Sequence, residues 1–345
     1  MIPHSRPTLS AADAERVAGV VRSGQIAQGR EVAAFERELA ARLGVEDAAV
    51  VSSGSAALEL ALRALEVDPG DDVIIPSFVC DALHHAVTRA GGRPVLADAD
   101  PATLTLAVDD AKRRLAPRTR AVIVPHAFGL AIDLAPFLTL GVPILEDCAQ
   151  ALGAAVGGRP VGSLGRLAVC SFYATKLLTT GEGGAVAGPA ALVGRVREAR
   201  DYDEREDLAP RFNYKLTDMQ AALGRSQLAR LDEFVGRRRA IAARYRARLS
   251  GVSCRLPVDA GERHVYHRFV IGARAPLGPL IARLEAQGVA VRRPVFRPLH
   301  RALGLGGFPA AERLWAESLS LPCYPSLTDG DVDAVAAALA ETLAA

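Results

Sequence analysis

From about Ala48 to Gly188, short apolar runs alternate with helical patterns: AAVVSSG, DDVIIPSF, RPVLADAD, RAVIVPH, VPILED, LAVCSFYATK and GGAVAG. Strands that alternate with helices form a mainly parallel sheet covered by helices on both faces, which puts the chain in the α/β class. Between the first two runs, Ala57, Leu60, Ala61, Ala64 and Leu65 lie along one helical stripe, and that helix follows its strand directly.

From Thr217 the pattern becomes a long helix, with Met219, Ala222, Leu223, Leu231, Phe234, Ile241 and Tyr245 at three-to-four spacing and a break expected near Gly236. Thr217 and Gln220 read as a capping box that fixes its start. Beyond Ser250 come the strand-like HVYHRFVIG and a terminal helix with a second capping box, Thr328 and Asp331. A chain of 345 residues exceeds the usual domain size of ~100–200 residues. The expectation is therefore a large domain over residues 1–235, N-terminal segment included, and a smaller α+β domain over 236–345.

Lys and Arg number 41 against 39 Asp and Glu, a formal charge of +2. So balanced a chain gives no electrostatic footprint for nucleic acid or an anionic membrane, while small anionic ligands remain open. The start, MIPHSRPTLSAADAERV, lacks the apolar region of a signal peptide. No apolar run approaches the ~20 residues that span a bilayer, so a cytoplasmic protein is expected. Five cysteines, odd in number and never in a C-x-x-C pair, suggest neither a disulfide framework nor a zinc site.

Three segments carry the chemistry. In CSFYATKLLTTGEGG, Lys176 follows a strand, where ligands bind in open parallel sheets, and its amine can form an imine with an aldehyde cofactor. Ser171 could help to hold an anion there, although most lysines after strands are solvated surface residues. In VPILEDCAQALGA, Asp147 ends a strand; a carboxylate there can keep a pyridine nitrogen protonated, or can simply cap a helix. In VVSSGSAALELAL, Ser53, Gly54 and Ser55 join a strand to a helix whose free N–H groups suit a phosphate, with capping again the alternative. An anion cradle, a ring partner and an imine-forming amine at the strand ends of one sheet together point to pyridoxal phosphate (PLP).

The order SSGSAAL, IPSFVC, PHAFG, EDCAQ, SFYATK, GEGG, FNYKLTDMQAALGRSQL and RRPVFRPLH resembles the DegT/StrS family of sugar aminotransferases, from about Gly24 to the C-terminus. The resemblance implies the PLP-dependent type I aminotransferase fold. It makes Lys176 the residue that bonds the cofactor, Asp147 the partner of the ring nitrogen and Gln150 a neighbour of the ring hydroxyl. Gly54, Ser55 and Ser171 become phosphate binders, and Asn213 the residue lent to the neighbouring subunit's cofactor, so a homodimer with shared active sites is implied. The reaction implied is ping-pong transamination through pyridoxamine phosphate, with glutamate or glutamine as donor. The acceptor is a keto-sugar, nucleotide-linked or else a free cyclic ketone of the inosose kind. A dehydratase of the same family would carry histidine in place of Lys176, and a silent regulatory homologue would not need Lys176, Asp147, Ser171 and Asn213 together.

Two positions depart from the family. Cys80 stands where many members stack an aromatic ring on the cofactor, with Phe78 two residues earlier, and Arg292, Arg293 and Arg297 replace a tyrosine-containing wall. Weaker substrate candidates are His126, Arg200, Tyr202 and Arg211, each with a structural or solvated alternative. His84 and His85 are adjacent in one helix and cannot share a face.

Overall fold

The computed structural model describes residues 1–344. All seven apolar runs become strands of one sheet: β1 (Asp47–Val51), β2 (Asp72–Pro76), β3 (Arg93–Ala97), β4 (Thr119–Pro125), β5 (Ile144–Asp147), β6 (Leu167–Ser171) and β7 (Gly184–Gly188). Their order is β1-β7-β6-β5-β4-β2-β3. The pairs that involve β7 are antiparallel and the others parallel. The reversal brings Gly184, the first residue of β7, level with Val51 and Ser171 at the ends of its neighbours.

Alternate residues of each strand enter different cores. Val51, Ile75, Ile123, Val169 and Val186 face one side, where α2 (Gly54–Ala64) packs. Val50, Ala168, Cys170, Ala185 and Ala187 face the other, against Phe35, Leu39 and Leu43 of α1 (Arg30–Leu43). A sheet buried on both faces has no polar alternation, so its strands read as continuous apolar runs. After β7 comes α3 (Ala190–Arg200).

The Thr217–Gln220 capping box is present and starts α4 (Asp218–Ala229). The long helix breaks at Arg230, not near Gly236, and α5 (Leu231–Arg248) runs unbroken through that glycine. Leu231, Phe234, Val235, Arg238, Ile241 and Tyr245 form a buried stripe along α5. Tertiary burial of this kind outweighs the ~1 kcal/mol that a mid-helix glycine costs.

The smaller lobe has an antiparallel sheet of β8 (Cys254–Arg255), β9 (Phe269–Ala273) and β10 (Ser318–Leu321), flanked by α6 (Leu277–Ala286) and α7 (Asp329–Ala344). The Thr328–Asp331 box caps α7. Tyr245, Phe269, Leu319, Val332 and Leu339 are among its core residues. The first residues of the chain pack here too, with Ile2 bridged to Val289. Between α6 and β10 the chain crosses back, and Val295, Leu299 and Phe308 enter the core on the α2 face of the large sheet. This crossing segment closes one side of the cleft between the lobes. Among the described residues, no helix is long and apolar enough to cross a membrane.

Candidate active site

At the edge where β1, β2, β4, β5 and β6 end lies a cavity of about 230 Å³. Its wall includes Gly54, Ser55, Cys80, Asp147, Gln150, Ser171 and Lys176, residues drawn from four strand ends. The topology explains the convergence, because parallel strands present their carboxyl ends to a common edge.

The floor is the start of α2. Ser53 caps it, its hydroxyl accepting from Ala56 N at 3.0 Å. The N–H groups of Gly54 and Ser55, in the first turn, have no intrahelical acceptor. A Cβ at Gly54 would lie 2.8 Å from Ser171 Cβ, and one at Gly184 would lie 2.5 Å from Ser53 O. Both positions therefore need glycine, and the result is a cradle whose free backbone N–H groups could receive a small anion.

Asp147 ends β5. Its Oδ1 accepts from Ala149 N at 3.0 Å, the capping-type bond that its sequence context allowed. Burial pushes the carboxyl above its ordinary value, against the pull of the Ala149 N–H and the charge of Lys176. An anion so placed gains from a cation brought into the cavity. Gln150 turns its Oε1 to Phe128 N at 2.8 Å, which leaves its amide –NH2 for other partners. Phe128 has the left-handed φ of 57°, a conformation that costs a non-glycine residue of the order of 1–2 kcal/mol.

Lys176 sits in the turn after β6, its N–H bonded to Tyr173 O at 2.9 Å. Burial holds its amine below the ordinary lysine range, with Cys80 and Asp147 opposing. Lysine occurs at only three positions, 112, 176 and 215, among 41 Lys and Arg residues. Lys112 is exposed on a helix remote from the cavity lining, and Lys215 is paired with Asp201 and Asp203 at 2.8 and 2.6 Å. In a chain that otherwise uses arginine, the lysine in the cavity is the one cation there able to lose its proton and form an imine. Sequence reasoning passed over this scarcity, which was countable from the start.

Cys80 lines the wall with its side chain exposed at the cavity mouth, and desolvation by the surrounding protein raises its thiol above the ordinary value, so that it is not a thiolate. Phe78 and Phe128 meet edge-on beside it, centroids 6.3 Å apart. Pro294 and Val295, from the crossing segment, complete the wall, together with Tyr173 and Glu182. Phe128, Pro294 and Val295 had no local signal beyond apolar character.

His126 borders the cavity, but both ring nitrogens are taken: Nε2 bonds Glu146 Oε1 at 2.8 Å and Nδ1 accepts from Ile132 N at 2.9 Å. The ring therefore lines the cavity with both nitrogens already engaged within the protein. Burial would raise the Glu146 carboxyl, but the bond to His126 and the N–H groups of Gly162 and Gly165 outweigh it, and the carboxylate is held below its usual range.

The arginines divide. Arg200 is buried, its Nη1 on Glu36 Oε1 and on Val50 O at 2.6 Å, so the expected substrate role gives way to a structural one. Arg200→Ala should lower unfolding free energy by about 3 kcal/mol, the loss usual when one partner of a buried pair is removed. Denaturant titration measures it, and a KM for either substrate near wild type should accompany it. Arg211 is likewise held, by Glu198 and Asp207, whereas Arg292 pairs with Glu285 and also lines the outer cleft of Arg293 and Arg297. Tyr202 is 54% exposed under the Lys215 amine and does not line the cavity of its own chain. Arg293, stacked on Trp315 at 4.2 Å, and Arg297 do line a second, outer cleft of about 1100 Å³, with Arg301. Cys80, Pro294 and Val295 belong to both spaces, so the two adjoin. Asn213 is exposed and outside its own chain's cavity.

An anion cradle at a helix start, a buried carboxylate and a lysine whose amine is held below its ordinary range, around one cavity, fit PLP, and a fold with one reversed strand in a seven-stranded sheet carries them. Comparison with known proteins agrees. A profile of the DegT/DnrJ/EryC1/StrS aminotransferase family matches residues 7–340. GDP-perosamine synthase of Caulobacter vibrioides is 34% identical over 91% of each chain. A dTDP-4-dehydro-2,3,6-trideoxy-D-glucose 4-aminotransferase of Saccharopolyspora spinosa is 35% identical over 97% of this chain and 95% of its own. Among solved structures, the aminotransferase TlmJ of Streptoalloteichus hindustanus superposes with a TM-score of 0.93 at 36% identity, covering 100% and 99% of the two chains. A Streptococcus pneumoniae protein, solved in a pyridoxamine-phosphate form and a PLP form, reaches 0.95 and 0.94 at 26% and 25% identity, over 99% and 98% of the chains. The chain belongs to the DegT/DnrJ/EryC1/StrS aminotransferase family, and with it is a PLP-dependent aminotransferase.

Proposed function

We propose that the enzyme moves an amino group from glutamate or glutamine to the carbonyl of a keto-sugar carried on a nucleoside diphosphate. The observation that carries this reading is the adjacency of two spaces: an inner cavity holding Lys176 and Asp147, and an outer cleft whose lining includes Arg293 and Arg297, neither paired with a carboxylate among the described residues. A sugar ring separates the carbon to be aminated from the diphosphate by several ångströms, and arginine suits a diphosphate through bidentate hydrogen bonds. Relatives named for GDP-, UDP- and dTDP-linked sugars support the same class.

When bound, PLP supplies an aldehyde that exchanges amino groups and a protonated ring that withdraws electrons from the carbon losing its proton. The residues divide the rest. Lys176, whose amine lines the cavity, would be the residue that bonds the cofactor's aldehyde, and its Nζ would serve as the base that moves the donor's α-proton. Burial favours the neutral form that this needs. Asp147 would keep the ring nitrogen protonated, while the Gly54 and Ser55 N–H groups and the Ser171 hydroxyl would hold the phosphate. Gln150 offers its free amide to the ring hydroxyl, and Cys80 packs against the ring. Asn213, exposed on its own chain, serves the cofactor of a second copy in a homodimer. Five free cysteines suit a reducing compartment, and we assign the enzyme to the cytoplasm.

The test is a substrate panel. The enzyme, converted by glutamate or glutamine, is mixed with keto-sugars linked to GDP, UDP or dTDP and with free inososes, and return of the PLP absorbance is followed. One nucleotide-linked class should restore it. Restoration by free cyclic ketones alone would refute the nucleotide assignment.

A further inference from the structure

Among the arginines of the outer cleft, Arg268 is more sheltered than the exposed Arg292, Arg297 and Arg301. It lies just before β9, half-buried, and among the described residues its guanidinium meets no carboxylate. Its side-chain partner is His4, whose ring nitrogens both lie 3.1 Å from Nη1. Burial and the charges of Arg268 and Arg292 push His4 down to about 3, so that ring is neutral and supplies a lone pair, not a charge. The neighbouring Arg238 is spent on backbone carbonyls of Tyr266, His267 and Cys323. A sheltered guanidinium without an anion is costly. Arg211, Arg225 and Arg244 all have carboxylates beside them.

The position says which anion is missing. Arg268 faces the outer cleft on one side and the pocket beneath Phe128 on the other. Its N–H donates to Phe128 O at 3.1 Å, and Phe128 N in turn donates to Gln150 in the cofactor cavity. Arg268 is thus one residue behind the inner wall, close enough to act on the Lys176 charge, while it also lines the outer cleft with Arg293 and Arg297. In an amino acid, the carboxylate sits on the same carbon as the amine, so whatever grips it must stand within a few ångströms of the reacting nitrogen. A diphosphate lies a sugar's width further out.

We propose that Arg268 is the specificity residue for the amino donor, binding its α-carboxylate through the guanidinium edge that His4 leaves free. The inference rests on the aminotransferase reading. His4, fixed by Ser5 and Ser320 hydroxyls at 2.9 Å each, orients the guanidinium from behind. A carboxylate on the sugar would share this chemistry, so the test separates the two half-reactions.

The donor half-reaction needs no sugar: PLP-loaded enzyme is mixed with L-glutamate, L-glutamine or the α-amide of glutamate, and loss of the PLP absorbance is followed. Wild type should discriminate against the α-amide roughly 10- to 100-fold, the scale of one charge-assisted pair. Arg268→Gln should raise KM for glutamate by about the same factor and abolish that discrimination, while Arg268→Lys recovers part of it. In calorimetry, 2-oxoglutarate should bind the cofactor-free Gln variant more weakly than wild type. The acceptor half-reaction of the variant should lose less than the donor half-reaction. Unchanged KM and discrimination in Arg268→Gln would overturn the proposal, as would a loss confined to the acceptor half. If Arg268→Gln fails to fold, the α-amide comparison on wild type and the Lys variant decide. Wild type inert to every amino donor would instead sink the aminotransferase reading, and this inference with it.

Discussion

Lys176→Ala should bind PLP and yet turn over roughly 10³- to 10⁴-fold more slowly than wild type, the range expected for a positioned proton-transfer group. The other two lysines cannot substitute, since one is exposed and the other is paired with two aspartates. A small primary amine such as ethylamine should restore part of the rate, because what is lost is an amine at one place and not the fold. Mixing this variant with a disruptive Asn213 variant extends the test to the assembly. If Asn213 serves the partner's cofactor, a mixed dimer contains one site with both native residues, and activity should reappear. Heterodimers without activity would argue for sites built within single chains.

Asp147→Asn should keep the shape of the cavity and lose roughly 10²- to 10³-fold in kcat, the cost of removing one preorganised electrostatic group. The amide still accepts from Ala149 N, so folding should survive. It no longer holds a proton on the ring nitrogen, and a neutral ring is the poorer electron sink. The acid limb of cofactor binding gives a second readout. Burial raises the Asp147 carboxyl, so in the cofactor-free enzyme it protonates at a higher pH than an ordinary aspartate. As pH falls through that raised value the anion is lost and the grip on a cationic ring should weaken; in Asp147→Asn this limb should be absent. Near-normal turnover in the variant would remove Asp147 from the mechanism.

The sheet was readable from the sequence because strands buried on both faces leave unbroken apolar runs, and the residues at their ends, Gly54, Asp147, Ser171 and Lys176, inherit a shared edge from the topology. The reversal of β7 was not readable, since GGAVAG carries no mark of direction. Nor was the helix break, which follows the buried stripe of α5 and not the local propensity of Gly236. The arginines misled for a different reason. Arg200 is 164 positions from Glu36, so nothing near it foretold an ion pair, and Arg268 drew no notice because an arginine in a strand-like run looks like an edge residue. His126 could be weighed only as structural or functional until Glu146 and Ile132 were seen to occupy both its nitrogens.

The central claim is that the amine in this cavity carries the cofactor, and borohydride reduction of the PLP-loaded wild type followed by peptide mass mapping tests it most directly. Three lysines make the outcome unambiguous. The cofactor mass should be found on the peptide containing Lys176, at close to one per chain. Finding it on Lys112 or Lys215, or on no lysine at all in an enzyme that turns over, would contradict the account.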